Sequence, residues 1–191
     1  MNEVLPIVYL SGIVIFLGGL AVFLFLQIIK TRRTENRFYK LQKKLQNEKG
    51  TAEEYYELAS LYLDKKLYVQ AVNLLQKGLK TGKKLEPENK ALMYNAMGFA
   101  YFSQEQLDLA IRNYKDAIKL YPDYVIALNN LGNAYEKKQM ISKAVEAYEE
   151  TLKFDEDNKI AKRRADLLRK RLVTSNWNTP PKTSYPPTEA G

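Results

Sequence analysis

Apolar and small residues recur along Ala91–Asn158 with a period no single helix or strand produces. Gly98 returns as Gly132, Tyr101 as Tyr135, Ala110 as Ala144 and Tyr114 as Tyr148, each pair 34 residues apart. Within a unit, Tyr94, Met97, Gly98 and Tyr101 follow the i, i+3, i+4, i+7 spacing of one helix face. A second amphipathic stretch follows, with its small residue at Ala110 and its aromatic at Tyr114. The pattern predicts two antiparallel helices per unit. Gly98 and Gly132 sit where the two helices approach closely, with Ala110 and Ala144 facing them from the second helix. The tyrosines fill the wedges between helices and are able to bond through their hydroxyls.

A third, earlier copy appears when the step is lengthened. Going back 39 residues from Gly98, Tyr101 and Ala110 gives Ala59, Tyr62 and Ala71. The extra residues fall in TGKKLEPEN, where Gly82 ends one helix and Pro87 opens the next. This copy departs from the others, with Ala59 for Gly, Leu75 for the aromatic and Gly78 for Ala. The last copy has Thr151 for Ala and Glu156 for the closing Pro. The order of large, apolar, Gly, Tyr, Ala and Tyr, closed by Pro122, matches the tetratricopeptide pattern. Repeats of this kind bury their apolar faces only by stacking. The expected fold is all-α: repeats 52–90, 91–124 and 125–158 form a solenoid, and residues 159–172 cap it. Thr51 with Glu54 reads as a capping box that starts the array after Gly50.

Ahead of the array, Leu5–Ile29 is 25 residues without a charge. As a helix it is about 37 Å long, enough to cross a bilayer with some tilt. Glu3 stands where a signal peptide would be basic, and Phe23–Leu26 offers no small-residue cleavage site, so the reading is a retained single transmembrane helix. Lys30, Arg32, Arg33, Arg37, Lys40, Lys43 and Lys44 follow it, which predicts that residues 1–4 are translocated and the rest faces the cytoplasm or stroma. Residues 30–50 read as a basic juxtamembrane helix with a thin stripe of Phe38, Leu41 and Leu45. Its charge is sufficient as a topogenic flank, without lipid recognition.

Charge separates the remaining function classes. The chain carries +8 overall, yet residues 51–158 hold 17 acidic against 14 basic side chains. The basic excess lies in the flank and in residues 159–172, not on the repeats, which argues against nucleic acid as a partner. Residues 173–191, with Pro180, Pro181, Pro186 and Pro187, read as a disordered tail in which Trp177 and Tyr185 are incidental. No Cys and no His remove the thiolate nucleophile, thiolate metal sites, iron–sulfur ligation, the usual general base and the usual metal ligand, so no catalytic residue and no cofactor is expected. The densest carboxylates, Glu149, Glu150 and Asp155–Asp157, straddle a helix end, as solvated turns commonly do.

What remains is a protein-binding surface. The first helix of each pair lines the hollow side of a stacked array. The face opposite the packing stripe presents Tyr56, Ser60 and Leu63 from the first repeat. Leu92, Asn95, Phe99 and Phe102 come from the second, and Ile126, Asn129, Asn133 and Glu136 from the third. Amides suit a peptide backbone, and the phenylalanines suit apolar side chains. Tetratricopeptide co-chaperones hold acidic chaperone tails with a basic clamp in this hollow. Here the matching seats hold Tyr56, Ser60, Ile126 and Asn130, so no carboxylate-clamp binding is expected.

The opening LPIVYL, the exit KTRRTE and the stretch EYYELASLYLDKKLYVQAV with two well-kept repeats behind it resemble the small membrane-anchored tetratricopeptide proteins of cyanobacteria and plastids that assist photosystem I assembly. The resemblance covers all but the Pro-rich tail. It implies a thylakoid protein that holds a photosystem I subunit or an assembly intermediate. A general membrane-tethered adaptor in secretion or pilus assembly, or a regulatory module of an enzyme complex, fits the residues without the resemblance.

Overall fold

A computed structural model describes residues 4–82 and 85–177. Among these residues the chain is entirely helical, with eight helices and no strand. It divides at Gly50 into two compact units.

The first unit is built on α1 (Val4–Asn47), an unbroken helix of 44 residues. The uncharged segment and the basic flank are therefore one helix. From Val8 onward it is long and apolar enough to cross a membrane, with a mean hydropathy of 2.6 and none of the apolar window buried. At the end of the apolar stretch, the hydroxyls of Thr31 and Thr34 donate to the carbonyls of Gln27 and Lys30 at 3.0 and 3.1 Å. Such back-bonding satisfies a hydroxyl on a helix without a partner from outside it.

The second unit stacks α2 (Ala52–Asp64), α3 (Tyr68–Thr81), α4 (Pro87–Ser103), α5 (Leu107–Leu120), α6 (Val125–Lys137), α7 (Ile141–Phe154) and α8 (Lys159–Trp177). Each helix packs on the next, and the first helices of successive pairs also touch, α2 with α4 and α4 with α6. The start is set by a capping box. Glu54 N–H donates to Thr51 Oγ1 at 3.3 Å, and Thr51 N–H donates to Glu54 Oε2 at 3.1 Å. Between the first two pairs, Gly82 caps α3 and Pro87 opens α4. The cap helix is longer than residues 159–172. No proline falls between Pro122 and Pro180, and α8 runs on to Trp177, so residues 173–177 belong to it and not to the tail. The rest of the Pro-rich tail, with Tyr185, and residues 1–3 lie outside the described residues.

Packing explains the small residues. Ala71, Ala110 and Ala144 are fully buried at the same place in each pair. A methyl group on Gly98 would come within 2.5 Å of the Tyr114 ring, and one on Gly132 within 2.7 Å of the Tyr148 ring. Both rings are 1% exposed and have nowhere to move. In the first pair the ring is replaced by Leu75 and the glycine by Ala59, both fully buried in one cluster. The first repeat thus fills the same space with a different pair. Thr151, in place of Ala, is fully buried and donates its hydroxyl to the Ala147 carbonyl at 3.0 Å.

The turns inside the three pairs are alike. Lys66, Glu105 and Gln139 have φ of 59°, 62° and 61°, the left-handed region. Across each turn the next N–H donates to the repeat tyrosine's carbonyl, Leu67 to Tyr62 at 2.8 Å, Gln106 to Tyr101 and Met140 to Tyr135 at 2.9 Å. These bonds satisfy carbonyls that a helix end would otherwise leave open.

Candidate protein-binding groove

The first helices of the pairs, α2, α4 and α6, share one face, and a distinct feature marks each seam along it. Between α2 and α4, a small pocket of about 160 Å³ is lined by Glu53, Tyr56, Leu85, Asn89, Leu92 and Met93. Between α4 and α6, Asn130 Nδ2 donates to Asn95 Oδ1 at 2.9 Å, and Asn95 Nδ2 donates to the Tyr124 hydroxyl at 3.2 Å. Between α6 and α8, Arg164 donates to Glu136 Oε1 at 3.2 Å, while the Tyr148 hydroxyl from α7 donates to Glu136 Oε2 at 3.3 Å.

None of the eleven residues proposed from the sequence is fully buried. Tyr56, Ser60 and Leu63 are half-buried on α2, and the Ser60 hydroxyl is spent on the Tyr56 carbonyl at 3.0 Å. On α4, Leu92 is half-buried in the pocket wall and Phe99 is 44% exposed. Phe102 is half-buried against the core, with the Lys137 ammonium 5.2 Å from its ring centroid. On α6, Ile126 is 58% exposed, Asn133 is exposed, and Asn129 is half-buried with its Oδ1 enclosed and unbonded. The set therefore divides. Asn95 and Glu136 are fixed in bonds between helices and shape the surface. Phe99, Ile126 and Asn133 stand open to contact.

Sequence reasoning left out the fourth helix of this face. Ala161, Ala165 and Leu168 bury α8 in the core, as Ala127, Leu131 and Ala134 bury α6 one repeat earlier. Ile160, Arg163, Arg164 and Leu167 therefore stand where α6 has Ile126, Asn129, Asn130 and Asn133. The signal was present, because each is the earlier residue moved on by one repeat. Wider clefts of about 420 and 390 Å³ open on the other side of the first helices, over Tyr135 and Tyr101. They are the seams between second helices that any stacked array leaves. At the first, Lys115 and Lys143 already occupy the Tyr135 ring, at 5.8 and 5.9 Å.

The electrostatics follow burial. The Tyr124 hydroxyl is pushed up by burial and by the nearby Tyr56, against a lowering by its bond to Asn95. Burial pushes Tyr148 up strongly, and the Glu136 carboxylate adds to it. The Glu53 carboxyl, at the rim of the α2–α4 pocket, is held below the usual range by its own backbone N–H and by Thr51. Among the described residues no group of three metal-ligating side chains comes together.

Helix pairs with this packing, these turns and this shared face define a tetratricopeptide-repeat protein. A family profile described as TPR repeat matches residues 98–139, and one described as tetratricopeptide repeat matches residues 125–158. The chain belongs to the ycf37 family: it is 36% identical over 173 residues to the uncharacterized protein ycf37 of Guillardia theta, covering 91% of this chain and 97% of that one. It is 35% identical to the chloroplastic tetratricopeptide repeat domain-containing protein PYG7 of Arabidopsis thaliana, over 86% of this chain and 56% of that longer one. Among solved structures it resembles MamA in fold, with a TM-score of 0.67 at 24% identity over 77% of this chain and 85% of that one.

Proposed function

We propose that the chain is a membrane-anchored scaffold, not an enzyme, that binds proteins through the α2–α4–α6–α8 face and assists the assembly or stability of photosystem I. The observation that carries the binding reading is that face itself. Bonds between helices tie it together from α4 to α8, yet among the described residues it leaves Phe99 and Ile126 exposed at 44% and 58%. Apolar side chains held open on a rigid array are the usual material of an interface core. The anchor is α1, a single pass through the thylakoid membrane. The basic residues from Lys30 onward keep the repeats on the cytoplasmic or stromal side. Membership of a family with plastid relatives supports that location, and the resemblance to photosystem I assembly proteins supplies the client.

The partners are photosystem I subunits or assembly intermediates. Acidic chaperone tails are not among them by a carboxylate clamp, because the clamp seats Tyr56, Ser60, Ile126 and Asn130 carry no cation, and the Asn130 amide is already bonded to Asn95. Deleting the gene in an organism that makes both photosystems tests the assignment. Photosystem I, measured against photosystem II, is expected to fall, and an unchanged ratio would remove photosystem I as the client.

A further inference from the structure

Stepping from α6 to α8 by one repeat changes the chemistry of the groove. Asn129 gives way to Arg163, Asn130 to Arg164 and Glu136 to Lys170, while Ile126 stays apolar as Ile160 and Asn133 becomes Leu167. Ile160 and Leu167 are 65% and 47% exposed. They are two turns apart on one face, about 10 Å along the helix. Arg163 between them is exposed and has no hydrogen-bond or ion-pair partner among the described residues. Arg164 beside it leans on Glu136. At the other end of the same face the change runs the opposite way, since α2 places Glu53 and Glu57 where α4 has Leu92 and Ala96.

We propose that the α8 end of the groove receives an acidic, aliphatic stretch of a partner protein. The proposal rests on the groove reading above and names the chemistry of the part that bears on α8. Carboxylates pair with Arg163 and its neighbours, and aliphatic side chains cover Ile160, Leu167 and Ile126. The α2 carboxylates repel the same stretch, so it enters in one direction only. Complementary charge of this kind sets register and orientation more than raw affinity. A bilayer is the poorer match for these residues. A flat lipid surface reaches outward cations such as Lys162 before those on a hollow side, and it has no use for an exposed isoleucine and leucine framed by arginines there.

The full chain in phosphatidylcholine nanodiscs provides the test. The probes are two fluorescein-labelled decapeptides, one alternating Glu and Leu and the other alternating Lys and Leu, read by anisotropy. The Glu/Leu peptide is expected to bind and the Lys/Leu peptide to fail, with affinity falling as salt rises. Arg163→Glu and Leu167→Asp are each expected to weaken binding about fivefold or more, while Lys162→Glu, one residue away and off the groove, changes it little. Circular dichroism confirms that each variant is folded. Equal binding of the two peptides, or equal losses from Arg163→Glu and Lys162→Glu, would overturn the proposal. So would displacement of the peptide when phosphatidylglycerol is added to the discs, which would make α8 a lipid contact. The broader reading is scored separately, by photo-crosslinking at Phe99 in thylakoids. Capture of photosystem I polypeptides that persists in Arg163→Glu keeps the groove and removes only this proposal.

Discussion

Gly98 and Tyr114 form a matched pair, and the repeat is built around such pairs. The Tyr114 ring lies where a Cβ on residue 98 would be, 2.5 Å from its nearest carbon. Gly98→Ala is therefore expected to cost about 2 kcal/mol by overpacking, read from denaturant unfolding. The first repeat shows the alternative solution, Ala59 with Leu75. Combining Gly98→Ala with Tyr114→Leu is expected to recover part of the loss predicted for the two changes taken separately, a coupling of about 1 kcal/mol in a double-mutant cycle. Strict additivity would show that the two residues do not share one space. Tyr148 adds a pH effect. Its hydroxyl is held up by burial and by Glu136, so the folded state keeps the proton longer than the unfolded chain. Its contribution is fully present below about pH 10 and is lost as pH rises above that. Tyr148→Phe should flatten the alkaline fall in stability, followed by thermal melts across that range.

At the level of elements, the turns and the cap carry most of what the residue types concealed. Lys66, Glu105 and Gln139 take left-handed backbone, although none is the glycine or asparagine that marks such a turn. The conformation is imposed by the bonds that close each helix pair onto its repeat tyrosine's carbonyl. Gln139→Gly should relieve the strain and raise stability by about 0.5 kcal/mol, a gain reduced by the freer unfolded chain. The helix pairs themselves were legible, because small and aromatic residues at a fixed period leave few other ways to bury both faces. Gly50, Thr51, Gly82 and Pro87 likewise set ends by local chemistry that needs no tertiary context. The bonded pair Asn95 and Asn130 was not legible as a pair, since its partners come together only once α4 and α6 are stacked. The apolar stripe of α8 marks it as the cap of the array, whereas the place of its basic residues on the groove follows only from its packing. Leu168, 1% exposed, holds α8 to the array. Leu168→Ala should cost about 3 kcal/mol.

For the whole molecule, the account joins an anchor to a binding face. The apolar part of α1 makes the first half testable without knowledge of any partner. The chain should stay with membranes through an alkaline carbonate wash, and removal of residues 4–29 should release it into the supernatant. Under the proposed function, an anchor of this kind confines the scaffold to the surface of its client's membrane, which raises the client's effective concentration without any new contact. The repeats then need only modest affinity, consistent with a face that offers a few open apolar side chains and the exposed arginines Arg163 and Arg164. The measurement that bears most directly on this account is site-specific photo-crosslinking from residue 99 in intact thylakoids, with residue 162 as the control position. Photosystem I polypeptides attached at residue 99 and absent at residue 162 are the predicted result. Attachment only to proteins of other complexes, or equal labelling at both positions, would contradict it.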